Sequence, residues 1–277
     1  MTRAPHHRAR HGRDRPTRDA YPRAVAHPLP LTGERTLPGV PGEEYWFARH
    51  EAVYRWIAGT MAARIRGAVV VEAGSGEGYG AALLRDVGAR VVVALAYDEA
   101  AVRHARSTYS AVGTTRANLA AMPLGAGSAD VLVSLQVVEH LWDLPGFLHD
   151  CAEVLRPGGV AVVSTPNRPV FSPGLGRGEK PTNPFHVEEL DAAQLHDLLA
   201  AAGFTDVTVH GLHHGRRILD WEKENGVGIV GAQIAASLGA GVVPSTLADC
   251  VASVTVHDFV LGDADGAQDL VAVAAAP

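Results

Sequence analysis

The sequence has few of the features that would place a protein in a membrane, in a disulfide-rich class or on nucleic acid. Of its 277 residues only two are cysteines, Cys151 and Cys250, and both lie in apolar stretches with helical spacing. They predict reduced thiols, and therefore a cytoplasmic protein. No apolar run approaches the length of a bilayer span, and the formal net charge of −6 gives no general electrostatic basis for nucleic-acid binding.

The N-terminal segment also lacks the apolar stretch of a secretory signal. Residues 1–30 are instead rich in arginine, histidine and proline, and such a segment cannot bury enough apolar surface to order itself. We predict a disordered basic tail there. Because 47% of the chain is hydrophobic, residues 31–277 can bury a full core and are expected to form one large domain.

Beyond the tail, short β-branched runs alternate with helical patterns. This alternation predicts a doubly wound α/β fold with a mostly parallel sheet, in which ligands bind at the carboxyl ends of the strands. Residues 31–66 are expected to form a helical lid, and residues 211–262 a C-terminal helical cap insert. The predicted strands cover residues 69–71, 90–95, 114–117, 130–135, 160–164, 206–209 and 269–273.

The most informative run is the loop after the first predicted strand. The strand ends on Glu72, and Gly74, Gly76 and Gly78 follow at every second position. Glycines let the backbone approach a ligand, and the helix behind the loop offers its N–H groups. The spacing differs from the G-x-G-x-x-G of dinucleotide sites. A carboxylate at the mouth of the loop would repel a pyrophosphate but attract an ammonium group.

This loop resembles the first motif of class I S-adenosylmethionine methyltransferases, in which the acid and the loop hold the methionine part of the cofactor. Three later segments resemble further motifs of that family in the same order, at residues 118–124, 128–141 and 155–159. The resemblance implies S-adenosylmethionine as the cofactor and a Rossmann-like sheet of seven strands.

The same resemblance assigns further cofactor contacts. Asn118 would meet the adenine amino group, and the backbone N–H of Leu119 a ring nitrogen. Tyr97 and Asp98, after the second strand, and Gln136, after the fourth, complete the expected cofactor site.

One position departs from the family pattern. At the end of the second strand the family usually has an acid that holds both ribose hydroxyls, and alignment places Ala96 there. Loss of such an acceptor would weaken cofactor binding by about tenfold to several hundredfold. Asp98, two residues on, either reaches the ribose or caps the helix that it begins.

Methyl transfer to a hydroxyl needs a group that accepts the proton, and histidine suits this role near neutral pH. Of the 14 histidines, His140 and His186 lie in loops after the predicted fourth and fifth strands, where an acceptor would enter. We predict His186, or alternatively His140, as the catalytic base. The other interpretation of His140 is a structural hydrogen bond to a nearby backbone carbonyl.

The segment with Gln136, Glu139 and His140 also resembles the Glu-x-x-Glu-His segment of quinone-ring O-methyltransferases, where two acids and the histidine hold a divalent cation. Glutamine is neutral and a weaker ligand for a hard cation. We therefore expect no metal, while a cation at Glu139 and His140 stays open.

The acceptor has the weakest signal. Residues 32–35, 45–50 and 72–80 resemble a subgroup of actinobacterial methyltransferases found with polysaccharide-building enzymes. We expect O-methylation of a carbohydrate or glycosylated small molecule, with no nucleic-acid or membrane partner. Two further hypotheses stay open: a phenol, quinone or amine acceptor, and, because of Ala96, a methyltransferase-like binding protein with weak or no turnover.

Overall fold

The computed structural model of the chain describes residues 35–277. The tail predicted over residues 1–30, and the first four residues of the predicted lid, lie outside this part. Within it, no helix has both the length and the apolar character needed to cross a bilayer.

Eight strands form one sheet in the described residues. Strands β1 to β5 are mutually parallel, β8 is antiparallel to its neighbours β5 and β6, and β7 is antiparallel to β6. The strands are β1 Val69–Ala73, β2 Val91–Ala96, β3 Gly113–Arg116, β4 Ala129–Leu135, β5 Leu155–Pro166, β6 Thr205–His214, β7 Phe259–Asp263 and β8 Asp269–Ala275. They lie in the order β3-β2-β1-β4-β5-β8-β6-β7.

The predicted doubly wound α/β fold is confirmed, but the prediction of seven strands was wrong. The added strand, β7, lies at the edge of the sheet and pairs with residues 210–214 of a longer β6. Its sequence signal is weak because only one of its five residues is buried. Four of its five residues lie within the segment predicted to be a helical insert.

The helices cover both faces of the sheet. They are α1 Glu44–Thr60, α2 Ala62–Ile65, α3 Tyr79–Asp86, α4 Glu99–Thr108, α5 Leu144–Val154, α6 Arg168–Phe171, α7 Ala192–Ala201, α8 Arg216–Asn225, α9 Ile229–Leu238 and α10 Leu247–Ser253.

Adjacent residues of a central strand pack into two separate hydrophobic cores. Val70 faces a cluster with α1 to α4 and α8 to α10, whereas Val71 faces a cluster with α5 and α7. This division follows from the alternation of side chains along a strand, and it explains why the central strands are mostly apolar on both faces. The helical insert is shorter than the predicted 211–262, because β6 runs to His214 and β7 begins at Phe259.

Candidate active site

The carboxyl ends of β1, β2, β4 and β5 meet at one edge of the sheet. Because β8 is antiparallel to β5, its first residue, Asp269, lies at the same edge, opposite Pro166. This edge therefore gathers the sequence-predicted site residues together with residues that the sequence did not suggest.

The glycine-rich loop after β1 is shaped by close packing. Gly74 has φ +89°, and a Cβ there would overlap the side chain of Val137 in the loop after β4. Gly78 has φ +100°, and its Cβ would lie 2.9 Å from the Cβ of Ala105 in α4. By contrast, a Cβ on Gly76 would have no described atom within 4 Å. The loop is thus fixed by its neighbours on two sides and open at Gly76.

Glu72 lies fully buried at the end of β1. The Tyr54 hydroxyl donates a hydrogen bond to its Oε1 atom, while Oε2 has no hydrogen-bond partner among residues 35–277. Burial raises the pKa of Glu72 to about 8. A Cβ on Gly80 would overlap the Tyr54 ring and lie 2.5 Å from Glu72 Oε1, so the absence of a side chain at position 80 makes room for this pair.

A second buried acid, Glu77, lies inside the loop itself. Its Oε1 atom accepts a hydrogen bond from the Tyr109 hydroxyl at 3.1 Å, and Oε2 lies 3.0 Å from His104 Nε2. Burial raises the pKa of Glu77 to about 7. The glycine spacing alone suggests no role for this residue, but it ties the loop to α4.

On the β2 side, the structure favours the capping interpretation of Asp98. Its Oδ1 atom accepts the Ala100 N–H at 3.0 Å, and its other oxygen pairs with Arg35. Burial acts to raise the pKa of Asp98, but the Ala100 N–H and Arg35 outweigh it, and the pKa is lowered. Ala96 is buried at the strand end. The adjacent Tyr97 is 70% exposed, with the Arg116 guanidinium 6.0 Å from its ring centroid.

The remaining cofactor candidates differ in how they are held. Asn118 is exposed, and its Oδ1 atom accepts the Ala120 N–H at 3.0 Å, whereas Leu119 is buried in the core. Gln136 has φ +55°, which is uncommon for a residue with a side chain. Its backbone N–H donates to the Ser164 carbonyl at 2.9 Å, and its amide lies 3.3 Å from Ser164 Oγ.

The two predicted histidines come together at the ends of β4 and β5. Their ring centroids are 5.1 Å apart. His140 is half-buried, and its Nδ1 atom lies 3.1 Å from the Phe185 carbonyl oxygen. Because a carbonyl only accepts hydrogen bonds, Nδ1 carries the proton and Nε2 is the basic nitrogen of the neutral ring. The structural hydrogen bond expected for His140 is therefore present, and it leaves the opposite nitrogen with acceptor character.

His186 is more tightly enclosed. Its Nδ1 atom lies 2.7 Å from the buried Glu189 carboxylate, and its Nε2 atom lies 3.0 Å from the Asn183 amide nitrogen. The Asn183 oxygen accepts the Phe185 N–H at 3.0 Å, so the amide nitrogen is the donor to Nε2. Both ring nitrogens of His186 are thus engaged in holding the loop after β5.

Glu139 joins this histidine pair. It is buried, its Oε2 atom accepts the Thr165 hydroxyl at 3.1 Å, and its carbonyl accepts the Val187 N–H at 2.7 Å. Burial raises the pKa of Glu139 to about 6, although His140 and His186 oppose the rise. One ligand atom from each of these three residues lies within 4.8 Å of the others, a group that could hold a metal ion.

The comparisons with known proteins decide the family. The family model described as a methyltransferase domain matches residues 45–209. A probable S-adenosylmethionine-dependent methyltransferase of Mycobacterium tuberculosis (strain CDC 1551 / Oshkosh) is 48% identical over 255 residues, which cover 90% of each chain. The chain belongs to the S-adenosylmethionine-dependent methyltransferases. A probable enzyme of the same kind from Mycolicibacterium smegmatis is 47% identical over 259 residues, 92% of this chain and 98% of that one.

Solved structures agree on the fold. A methyltransferase from Thermotoga maritima superposes with a TM-score of 0.56 at 16% identity, and the match covers 84% of this chain and 94% of that one. At this identity the likeness shows the fold alone. The expected Rossmann-like methyltransferase fold is confirmed, with β7 as an added edge strand.

S-adenosylmethionine is the cofactor of this methyltransferase, and the β1 side of the edge fits it. Glu72 Oε2 is a buried acceptor without a partner among the described residues, which suits an ammonium group. The open face of the loop at Gly76 leaves room for close approach of a ligand. The β2 side has no acid at Ala96, and the nearest one, Asp98, is engaged by its helix and by Arg35.

Two polar pairs that border this edge have little signal in the sequence. Arg49 forms a buried bidentate ion pair with Asp269, with Nε 2.6 Å from Oδ2, and its guanidinium lies 4.6 Å from the Phe171 ring centroid. The Tyr45 hydroxyl lies 2.7 Å from Nε2 of His214, which is buried. In each pair the partners are more than 150 residues apart, so no local pattern could have joined them.

Proposed function

We propose that this methyltransferase transfers a methyl group to a hydroxyl of a carbohydrate or glycosylated small molecule in the cytoplasm. The observation that carries the proposal is the 3.1 Å contact between His140 Nδ1 and the Phe185 carbonyl oxygen, from which we infer that Nδ1 carries the proton. A neutral imidazole fixed in this way at the strand edge is suited to accept a hydroxyl proton. The carbohydrate class is supported by the sequence resemblance of residues 32–35, 45–50 and 72–80.

His140 would act on the acceptor hydroxyl. The bound cofactor supplies an electrophilic methyl group on a positively charged sulfur. The acceptor oxygen forms a bond to the methyl carbon as the carbon–sulfur bond breaks, which leaves S-adenosylhomocysteine. The hydroxyl proton passes to His140 Nε2 and then to solvent.

His186 acts as a positioning residue in this proposal. Its hydrogen bonds to Glu189 and Asn183 order the loop that carries Phe185, and the Phe185 carbonyl in turn orients His140. This reverses the preference drawn from the sequence, in which His186 is the first candidate for the base. The reason is that both of its nitrogens already have protein partners.

A metal-assisted transfer is the second candidate. The group of Glu139, His140 and His186 could hold a divalent cation, which would stabilise the acceptor as an alkoxide. Binding of the ion through His186 would require loss of one of its present hydrogen bonds. A phenol, quinone or amine acceptor is a third candidate, and a binding protein with weak turnover is a fourth.

The test is an assay with labelled S-adenosylmethionine against glucose oligosaccharides, a phenyl glucoside, catechol and a primary amine. Methylation of a sugar hydroxyl is expected. Methylation of catechol or the amine alone would contradict a carbohydrate acceptor and favour a phenol or amine. Binding of S-adenosylhomocysteine without transfer to any acceptor would favour a binding protein. Loss of activity with a chelator and its recovery with Mg²⁺ would select the metal-assisted route.

Three variants then test the base. His140→Ala should lower turnover by about a hundredfold to ten-thousandfold, with little change in S-adenosylhomocysteine affinity. His186→Ala should have a smaller effect, and His149→Ala, an exposed histidine on α5, should have none. Full activity of His140→Ala together with an inactive His186→Ala would restore His186 as the base.

A further inference from the structure

Two aromatic side chains are exposed beside the histidine pair. Trp142 is 91% exposed and lies two residues after His140, and Phe185 is 56% exposed and directly precedes His186. A single exposed apolar residue is ordinary, but tryptophan is usually well buried. Two exposed aromatic rings next to the proposed site of transfer therefore indicate a surface that a ligand covers.

Both rings lie on ordered backbone segments that also carry or orient His140. Trp142 lies between the 3-10 turn Val138–His140 and the cap of α5, where Asp143 Oδ1 accepts the Gly146 N–H at 3.0 Å. Phe185 is fixed through its N–H to the Asn183 side chain, and its carbonyl is the partner of His140. The backbone that carries the rings is therefore ordered before a ligand binds, which lowers the entropic cost of binding.

The chemistry around the rings selects the kind of ligand. The amide of Asn183 and the imidazole of His140 offer hydrogen bonds beside the aromatic surfaces. Residues 140–146 and 183–189, which carry the two rings, include acidic residues and no lysine or arginine, so they favour a neutral ligand over a polyanion. A small phenol or quinone is better bound in an enclosed apolar pocket than on an open ring. A neutral ligand with one apolar face and a hydroxyl-bearing edge, such as a pyranose ring, matches this arrangement.

We propose that Trp142 and Phe185 form a stacking platform for a pyranose ring of a saccharide acceptor. The apolar C–H face of the sugar would lie on the indole, and its hydroxyls would point to the histidine pair. This inference rests on the proposed function, because it specifies how the saccharide is held. It makes Trp142 a determinant of acceptor affinity that is separate from cofactor binding and from proton removal.

The test combines kinetics and fluorescence with glucose oligosaccharides of two to seven units. Trp142→Ala should raise KM for the oligosaccharide about threefold to tenfold, with a smaller change in kcat. Trp142→Phe should recover part of the loss, and Phe185→Ala should add to it. The oligosaccharide should also shift the tryptophan emission of the S-adenosylhomocysteine complex, and Trp142→Phe should abolish the shift. Leu238→Ala removes a side chain that is 74% exposed at the end of α9 and should change none of these values.

The outcomes separate the platform from the proposed function. Oligosaccharide methylation with the same KM in the wild type and in Trp142→Ala would overturn the platform and keep the proposed function. No methylation and no fluorescence shift in the wild type, with activity on catechol, would overturn both. An unchanged melting temperature and unchanged S-adenosylhomocysteine affinity in Trp142→Ala would establish that a raised KM comes from lost acceptor contact.

Discussion

The ends of β1 and β2, which lie at the same carboxyl edge of the sheet, differ in whether their acidic side chains can still bind a ligand. At the end of β1, Glu72 is buried, and its Oε2 atom has no hydrogen-bond partner within the described residues. This oxygen can therefore still accept a hydrogen bond from a ligand. β2 ends at Ala96, and the nearest acid, Asp98, already accepts a hydrogen bond from its own helix and pairs with Arg35. We infer that electrostatic recognition of the cofactor is concentrated on the β1 side.

The largest effect should come from removing the β1 anchor. Glu72→Gln should weaken S-adenosylhomocysteine binding by about tenfold to a hundredfold, because a charge-assisted bond to the ammonium group is lost. Calorimetric titration measures the change. Glu77→Gln is the matched control, a buried acid of the same loop whose oxygens face Tyr109 and His104, and it should weaken binding less. Equal affinity in the wild type and Glu72→Gln would remove Glu72 from the site.

An acid introduced at position 96 should give the end of β2 a cofactor contact comparable to the one proposed at the end of β1. Ala96→Asp should tighten S-adenosylhomocysteine binding by about tenfold, since the carboxylate would accept bonds from the ribose hydroxyls. 5′-Methylthioadenosine, which has the ribose but not the amino acid part, should gain by a similar factor. A gain confined to S-adenosylhomocysteine would contradict a ribose contact.

The raised pKa of Glu72 makes the β1 side sensitive to pH. Between the ordinary value of 4.5 and about 8, the unliganded protein binds a proton at this carboxyl that the unfolded chain does not. Its contribution to stability is therefore present below pH 4.5 and is lost as pH rises toward 8. An ammonium ligand favours the ionised form, so S-adenosylhomocysteine affinity should rise severalfold from pH 6 to pH 8. Titrations in two buffers should detect proton release, and Glu72→Gln should abolish that part of it.

The smallest effect is expected at Asp98. Asparagine also caps helices well, so Asp98→Asn should change the free energy of unfolding by less than about 1 kcal/mol and leave S-adenosylhomocysteine affinity unchanged. Asp98→Ala removes the cap and should cost about 1 kcal/mol, again without an effect on affinity. Denaturant unfolding and calorimetry measure the two quantities. Weaker binding in Asp98→Asn would mean that this acid had replaced the ribose clamp.

Local patterns were enough to predict the parallel sheet and its carboxyl edge. Residues 69–78 combine a β-branched strand, an acid and spaced glycines within one stretch, so their conformation follows from near neighbours. The different hydrogen-bonding of His140 and His186, on which the proposed roles rest, could not be predicted from local patterns. It depends on hydrogen bonds between two loops, such as the one from His140 to Phe185, 45 residues away. Arg49 and Asp269 are 220 residues apart and meet only because β8 inserts next to β5.

The absence of a side chain at position 80 has a consequence for the history of this family. Gly80 is helical, so its backbone would accept alanine, and what excludes a Cβ is the Tyr54 ring and the Glu72 carboxylate. Position 80 is therefore expected to stay glycine as long as Tyr54 and Glu72 keep their places, whereas a smaller residue at position 54 would meet no obstacle from Gly80. A lineage that replaced Tyr54 by a smaller residue would be released to accept alanine at position 80. Paired substitution at positions 54 and 80 among relatives would be the record of that constraint.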